Sequence, residues 1–326
     1  MDEPSWARPE FSPEEALRIA AERFQIHAHR AEPLPSDRDQ NFLLLGEPSH
    51  RRFVLKISNT GESLEALDFQ NRVMEHLARG GFRCPNVLFG RHGREIATVS
   101  HEAGGVKFPV RVLTWLPGRS LSEVNPQEPP LLRAVGSFLG GLDRALEDFS
   151  HPAQDRKLKW DIRRAGEVIE SHLAYVADAE RRDLLQRCSR ECLQRMDPLR
   201  SDLRLGVIHG DANDHNILVS NTGGNCRPSA VIGILDFGDA TLSYTAAEPA
   251  IAAAYAMLGK GDPLGAAEEV VKGYNQALPL NEAEVEALFP LMTLRLCTSV
   301  AISAHQRQRE PDNPYLRVSE ASAWDL

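Results

Sequence analysis

Apolar positions recur along this chain with two different periods, and the change from one to the other divides it. The opening segment FSPEEALRIAAERF has helical spacing. Ser12 is placed to cap that helix, Pro13 suits its first turn and Glu15 completes a capping box. Two strand-like runs follow, PLPSDRDQNFLLLG and RRFVLKIS, joined by the polar turn GEPSH. The stretch SLEALDFQNRVMEHLARGG returns to helical spacing through Leu64, Leu67, Val73 and Leu77 and stops at Gly80-Gly81. NVLFGR and REIATVS predict two more strands around a tight turn at His92-Gly93, and FPVRVLTWL predicts a fifth that runs into Pro117-Gly118. From about residue 119 the texture is helical, with patterns over 130–148, 161–173, 178–196, 246–258, 264–277 and 282–309, interrupted by short β-like runs at 205–219 and 230–236. The spacing therefore predicts an α+β chain in two parts: 1–116, a small antiparallel sheet with one main helix, and 117–326, mainly helical, with the break at Leu116-Pro117-Gly118. The tail PDNPYLRVSEASAWDL is irregular and reads as a linker continuing into a longer polypeptide.

Composition narrows the function classes. A net charge of -9 over 326 residues argues against a basic surface built for nucleic acid. No purely apolar run approaches the roughly 20 residues of a membrane span, and the acidic start MDEPSWARPEF lacks the apolar core of a secretory signal. The expectation is a cytoplasmic protein with neither nucleic-acid nor membrane partner. Five scattered cysteines, an odd number, agree with a reducing compartment. Cys188 and Cys192 stand one helical turn apart, but no further His or Cys lies at ligand spacing, so they read as structural.

The chemistry concentrates in VIHGDANDHNILV, residues 207–219, and in VIGILDFGDA, residues 231–240. Strand, polar loop, strand puts Asp211 and Asn216 at the mouth of one β-hairpin, and the next hairpin carries Asp236. Such oxygen-bearing side chains suit Mg²⁺, which takes one or two protein carboxylates together with phosphate oxygens and water. Asn216 and Asp236 are the candidate metal ligands, and Asp211 the candidate base for an attacking hydroxyl. In the first part, the strand residue Lys56 is placed to reach a phosphate, and Ser36, Gln40 and Asn41 in the turn PSDRDQNF are candidate phosphate donors. Asn213, Asp214 and Asp239 are candidate acceptor contacts. Trp160 and Asp161 read either as an ammonium-binding pair or as a packed indole beside a helix cap. Glu248 reads either as a cap or as a ligand for a substrate amine. Arg295, inside the apolar LMTLRLCTSVAIS, is a charge on a buried face; it predicts either a structural salt bridge or a receptor for a substrate carboxylate.

HGDxxxxN followed by ILDFGD, with an upstream strand lysine, resembles the aminoglycoside phosphotransferase and choline kinase group of small-molecule kinases over about residues 15–305. Within that group, SDRDQNF, LDFQN, WDI and PDNPYL are most similar to hydroxylysine kinases and homoserine-kinase-like enzymes, and to the kinase segment fused to class III aminotransferase-type modules. The resemblance implies a bilobal protein-kinase-like fold with a nucleotide-binding N-lobe, and a C-lobe holding the catalytic loop, metal and acceptor site. Asp211 would be the base, Asn216 and Asp236 would ligate Mg²⁺, and Lys56 would meet the nucleotide phosphates. Backbone groups of Thr114, Trp115 and Leu116 would pair with the purine edge, and His209 would brace the loop. It also implies ATP or GTP as donor and a small amine-bearing alcohol as acceptor: a hydroxy amino acid such as 5-hydroxylysine, homoserine or threonine. A C-terminal pyridoxal-phosphate-dependent module would fit the open tail. The competing expectations are an aminoglycoside kinase and a nucleotide-binding scaffold without chemistry. Two departures from the pattern stand out: no glycine lies between Ala31 and Leu45, and Gln70 stands where a Glu partner of Lys56 is expected.

Overall fold

The computed structural model describes residues 6–46, 51–101, 105–220, 230–309 and 320–326. The turn at 47–50, the stretch PDNPYL at 311–316 and Cys226 lie outside the described residues. The chain divides into two compact units, Met1–Pro117 and Gly118–Leu326.

The first unit begins with α1 (Pro13–Phe24), whose capping box is complete: Ser12 Oγ accepts from the Glu15 amide, and Glu15 Oε2 accepts from the Ser12 amide at 2.7 Å. A five-stranded antiparallel sheet follows, built from β1 (Ala28–Leu34), β2 (Gln40–Gly46), β3 (Arg52–Ile57), β4 (Ala97–Val99) and β5 (Phe108–Thr114) in the order β1-β2-β3-β5-β4. Side chains alternate across a strand. One face therefore carries Phe42, Leu44, Leu55, Ile57, Val110 and Val112 onto Ala16, Ile19 and Phe24 of α1. The opposite face carries a polar row, because Asn41 pairs with Lys56 and Lys56 with Arg111 across β2, β3 and β5. Arg111 is buried and ends on α2 (Leu64–Arg79): Nη1 donates to the Leu67 carbonyl and to Asn71 Oδ1 at 2.6 Å, and Nη2 to Gln70 Oε1 at 2.7 Å.

Two readings of the strands need correction. The run 33–46 is not one strand. β1 begins upstream at Ala28 and ends at Leu34; Pro35 and the polar residues after it form the connection to β2. The strands expected at 86–91 and 94–100 reduce to β4 and a single bridge between Val87 and Leu113, because a 3-10 turn, Arg91–Gly93, intervenes with positive φ at both His92 and Gly93.

The second unit is helical around two small sheets. Its helices are α3 (Pro129–Ala145), α4 (Ala165–His172), α5 (Ala179–Met196), α6 (Ala247–Met257), α7 (Pro263–Ala277), α8 (Glu282–Arg309) and the short α9 (Glu320–Trp324). β6 (Arg119–Ser120), β8 (Ile217–Val219) and β9 (Val231–Ile234) form one sheet, and β7 (Leu205–Ile208) with β10 (Thr241–Tyr244) the other. α3 and α7 approach until their backbones touch. A Cβ on Gly136 would stand 1.8 Å from the Val270 carbonyl, and one on Gly273 would stand 1.9 Å from that of Arg133. Across the same interface the Tyr274 hydroxyl donates to Asp143 Oδ2 at 2.6 Å, and burial pushes the Asp143 carboxyl well above its ordinary value. α8 qualifies the expectation about apolar runs. By length and composition it is able to cross a membrane, and 78% of its apolar window is buried inside this fold.

The α3–α7 contact makes a simple prediction. Gly136→Ala is expected to cost about 3 kcal/mol of stability through overpacking. Gly261→Ala, where a Cβ meets nothing within 4 Å, is expected to stay within about 0.5 kcal/mol of the parent. Urea unfolding followed by circular dichroism separates the two; coincident midpoints would contradict so close a helix contact.

Candidate active site

β7 ends at Ile208 and β8 starts at Ile217, so residues 209–216 form the connection between the two small sheets. Hydrogen bonds at both ends fix this loop to the one that follows β9. His209 is fully buried; its Nε2 donates to the Leu235 carbonyl at 2.8 Å, its Nδ1 accepts from the Asp211 amide at 3.3 Å, and its ring meets Phe237 edge-on. The Leu235 amide donates to the Asn216 carbonyl at 2.8 Å. Gly210 has φ +77, and a Cβ there would lie 2.6 Å from the Asp239 carbonyl, so only glycine fits between the loops. Its amide donates to Glu248 Oε2 at 3.0 Å. Arg156 Nη1 braces the second loop through the carbonyls of Gly238 and Ala240, and Ser120 and Ser122 hold the Asp214 carbonyl.

Asp211 stands at the centre. Oδ2 accepts from Asn213 Nδ2 and Asn216 Nδ2, each at 2.9 Å, and Oδ1 accepts from Arg295 Nη2 at 2.7 Å. A carboxylate oxygen has two lone-pair positions. Oδ2 is thus filled, and Oδ1 keeps one position open. Burial pushes the carboxyl up to about 7; Arg295 and Asn213 oppose the rise, while Asp239 and Asp236 add to it. Arg295, on α8 and 2% exposed, lies beside two rings, with its guanidinium carbon 4.5 Å from the Trp160 ring centroid and 5.4 Å from that of Tyr255. Its Nη1 donates to the Trp160 carbonyl at 3.2 Å.

Asp236 adopts a left-handed backbone, φ 54 and ψ 87, which turns the chain sharply; its Oδ1 accepts from the Gly238 amide at 3.1 Å and its side chain is exposed. Asn216 spends its nitrogen on both the carbonyl and the carboxylate of Asp211, so its amide oxygen is the atom left to meet a cation. Among the described residues no three His, Cys, Asp or Glu side chains form a closed metal cage. One amide oxygen and one carboxylate in an open site, with Asp236 and Asp239 both acting electrostatically on Asp211, nevertheless suit a hard divalent cation that completes its shell with water and phosphate.

Several expected ligands have other work. Asp161 is not an acceptor contact: its carboxylate accepts from the Arg163 amide and guanidinium and from Ser243 Oγ at 2.7 Å, and it is almost wholly buried. Trp160 stacks on Arg295 rather than on a free ammonium face. Glu248 is neither cap nor amine ligand; it is fully buried beneath Gly210, and burial raises its pKa. Gln40 bridges both backbone groups of Phe11 at 2.8 Å. It still lines, with Ser36 and Asn41, a cavity of about 580 Å³ in the first unit. The Thr114 amide is taken by the Asn86 carbonyl and that of Trp115 by the Arg52 carbonyl. Gln70, which stands where a Glu partner of Lys56 is expected, accepts from Arg111. Arg111, Tyr255 and Lys260 were not singled out from sequence. Arg111 carried a usable signal, a lone charge inside the apolar strand FPVRVLTWL; Tyr255 and Lys260 carried none.

Comparison with known proteins agrees with this geometry. The family model described as the phosphotransferase enzyme family matches residues 30–287. Hydroxylysine kinase of Mus musculus is 31% identical over 98% of this chain and 89% of its own length. Homoserine kinase of Methylorubrum populi is 28% identical over 77% of this chain and 72% of its own. Among solved structures, a microcompartment-associated aminopropanol kinase superposes with a TM-score of 0.73 at 18% identity, covering 95% of this chain and 94% of that one. An amicoumacin kinase solved with AMP-PNP and Ca²⁺ gives 0.71 at 17% identity, covering 97% and 92%. An antiparallel-sheet unit followed by a helical unit, with the HGD and DFGD loops tied together as described, is the protein-kinase-like fold these enzymes share, and this chain belongs to the phosphotransferase enzyme family of small-molecule kinases.

Proposed function

We propose that this enzyme transfers the γ-phosphate of Mg²⁺-bound ATP or GTP to the hydroxyl of a hydroxy amino acid in the class of 5-hydroxylysine, homoserine and threonine. The similarity to hydroxylysine and homoserine kinases supports the acceptor class. The observation that carries the chemistry is the single open lone pair on Asp211 Oδ1, beside two filled positions on Oδ2. The acceptor hydroxyl donates to that oxygen. As its oxygen bonds to phosphorus, its proton passes to Asp211, and the bond from phosphorus to the bridging oxygen breaks to release the nucleoside diphosphate. Asn213 and Asn216 keep the carboxylate from rotating. Mg²⁺, when bound by Asn216 Oδ1 and Asp236, neutralises phosphate charge. On the first unit, Lys56, Ser36 and Asn41 are the phosphate contacts we favour, and Leu116 is the residue of its trio left for the purine. A cytoplasmic setting agrees with the free thiols of Cys84, Cys188, Cys192 and Cys297.

A panel of 5-hydroxylysine, homoserine, threonine, 1-amino-2-propanol and kanamycin, assayed with each nucleotide by ³¹P NMR, tests the proposal. Phosphorylated amino acids are expected; turnover of kanamycin alone, or of nothing, sinks it. Asp211→Asn is expected to keep nucleotide-dependent thermal stabilisation while turnover falls by roughly 10³-fold. Asp236→Ala is expected to abolish the Mg²⁺-dependent part of that stabilisation, and unchanged nucleotide affinity would remove Asp236 from the metal site. Glu248→Gln keeps an acceptor for the Gly210 amide and is expected to unfold close to the parent. Glu248→Ala strands that amide and is expected to cost about 1–3 kcal/mol, read from the urea midpoint, with a parallel loss of turnover.

A further inference from the structure

The open lone pair of Asp211 adjoins the Arg295 guanidinium, so any acceptor hydroxyl delivered there arrives beside a fixed cation. That cation is unusually placed. It is only 2% exposed, and its guanidinium carbon lies 4.5 Å from the Trp160 ring centroid and 5.4 Å from that of Tyr255. A guanidinium carries five N–H donors. One meets Asp211 and one the Trp160 carbonyl, the Tyr255 hydroxyl is a further hydrogen-bonding neighbour, and Nε is buried without a hydrogen-bond partner among the described residues. A planar donor array with more N–H groups than these partners fill matches a carboxylate in shape and charge. It repels an ammonium. The opposite sign lies a few residues along the same loop, where Asp214 acts electrostatically on both Tyr255 and Lys260.

We propose that Arg295 is a specificity-determining residue: it binds the carboxylate of the acceptor, so the site selects zwitterionic hydroxy amino acids over the amino alcohols that lack that group and over polycationic sugars. The proposal rests on the hydroxy-amino-acid reading above and adds the residue that enforces it. Arg295 has two tasks in this arrangement. Through Nη2 it positions Asp211, which any acceptor needs; through its remaining donors it recognises one class of acceptor.

Matched pairs that differ only by the carboxylate separate the tasks: homoserine against 3-amino-1-propanol, threonine against 1-amino-2-propanol, and 5-hydroxylysine against 1,5-diamino-2-pentanol. The parent enzyme is expected to prefer the amino acid of the pair it accepts by roughly 30-fold in kcat/KM, the scale of a charge-assisted contact. In Arg295→Met that preference is expected to shrink to within about threefold, through a rise in KM for the amino acid alone, on top of a common fall in kcat for both members. Arg295→Lys is expected to restore part of the preference. An equal loss for both members of each pair would mean that Arg295 only positions Asp211, and would overturn the proposal. So would a parent enzyme that phosphorylates amino acid and amino alcohol equally well, a result that needs no variant to fold and leaves the kinase reading intact. A parent enzyme that phosphorylates neither would remove the reading beneath it. Thermal melting with and without Mg²⁺-ATP checks that both variants are folded.

Discussion

A guanidinium held out of water needs acceptors for its donors, and Arg295 finds a charged one in the carboxylate of Asp211. Removing either partner of a buried ion pair generally costs about 3–5 kcal/mol, because the survivor is left uncompensated. The Asp211–Arg295 contact therefore links chemistry to folding. It draws together α8, which carries Arg295, the turn at Trp160, α6 through Tyr255, and the loop after β7. Each element contributes one wall or one bond. A displacement of α8 would both expose a charge and release the Asp211 carboxylate.

The two loops depend on this contact and are also joined to each other by backbone. His209 and Asn216 tie the first loop to Leu235, one residue before Asp236. Gly210 lets the Asp239 carbonyl come within contact distance, and Glu248 secures the Gly210 amide from below. The side chains that face the reaction are few; those that hold the backbone beneath them are more numerous and more deeply buried. This division has a physical basis. A carboxylate accepting a proton must remain accessible at one oxygen, whereas the groups fixing its backbone gain strength from exclusion of water.

The first unit solves a similar problem with neutral groups. Arg111 is as buried as Arg295, yet it ends on the amide oxygens of Gln70 and Asn71 and on the Leu67 carbonyl. These acceptors are oxygens without formal charge. Lys56 is its cross-strand neighbour. The row Asn41–Lys56–Arg111 therefore sets two cationic side chains in opposed positions on one face of the sheet. The Gln70 that looked like a defect in an expected lysine–glutamate pair is in this fold an oxygen supplied to a different cation.

The contrast explains which features could be read in advance. Signals carried by a few adjacent residues were legible: the Ser12–Glu15 capping box, the helices α3 to α8 to within a few residues, and the polar loop between two short strands that carries Asp211 and Asn216. What could not be read was the partner of a polar group when that partner is distant in sequence. Asp161 looked equally suited to a cap and to a substrate until Ser243 and Arg163 were found on it, and Gln40 gave no hint of Phe11. Arg111 and Arg295 make the point most sharply. Both are single charges within apolar segments, and that pattern alone requires that each be paired. It does not say with what. The partner follows from which elements pack together, and here one arginine met amide oxygens while the other met the Asp211 carboxylate. The same local pattern thus yields a cation held by neutral oxygens in one unit and a cation held by a carboxylate in the other.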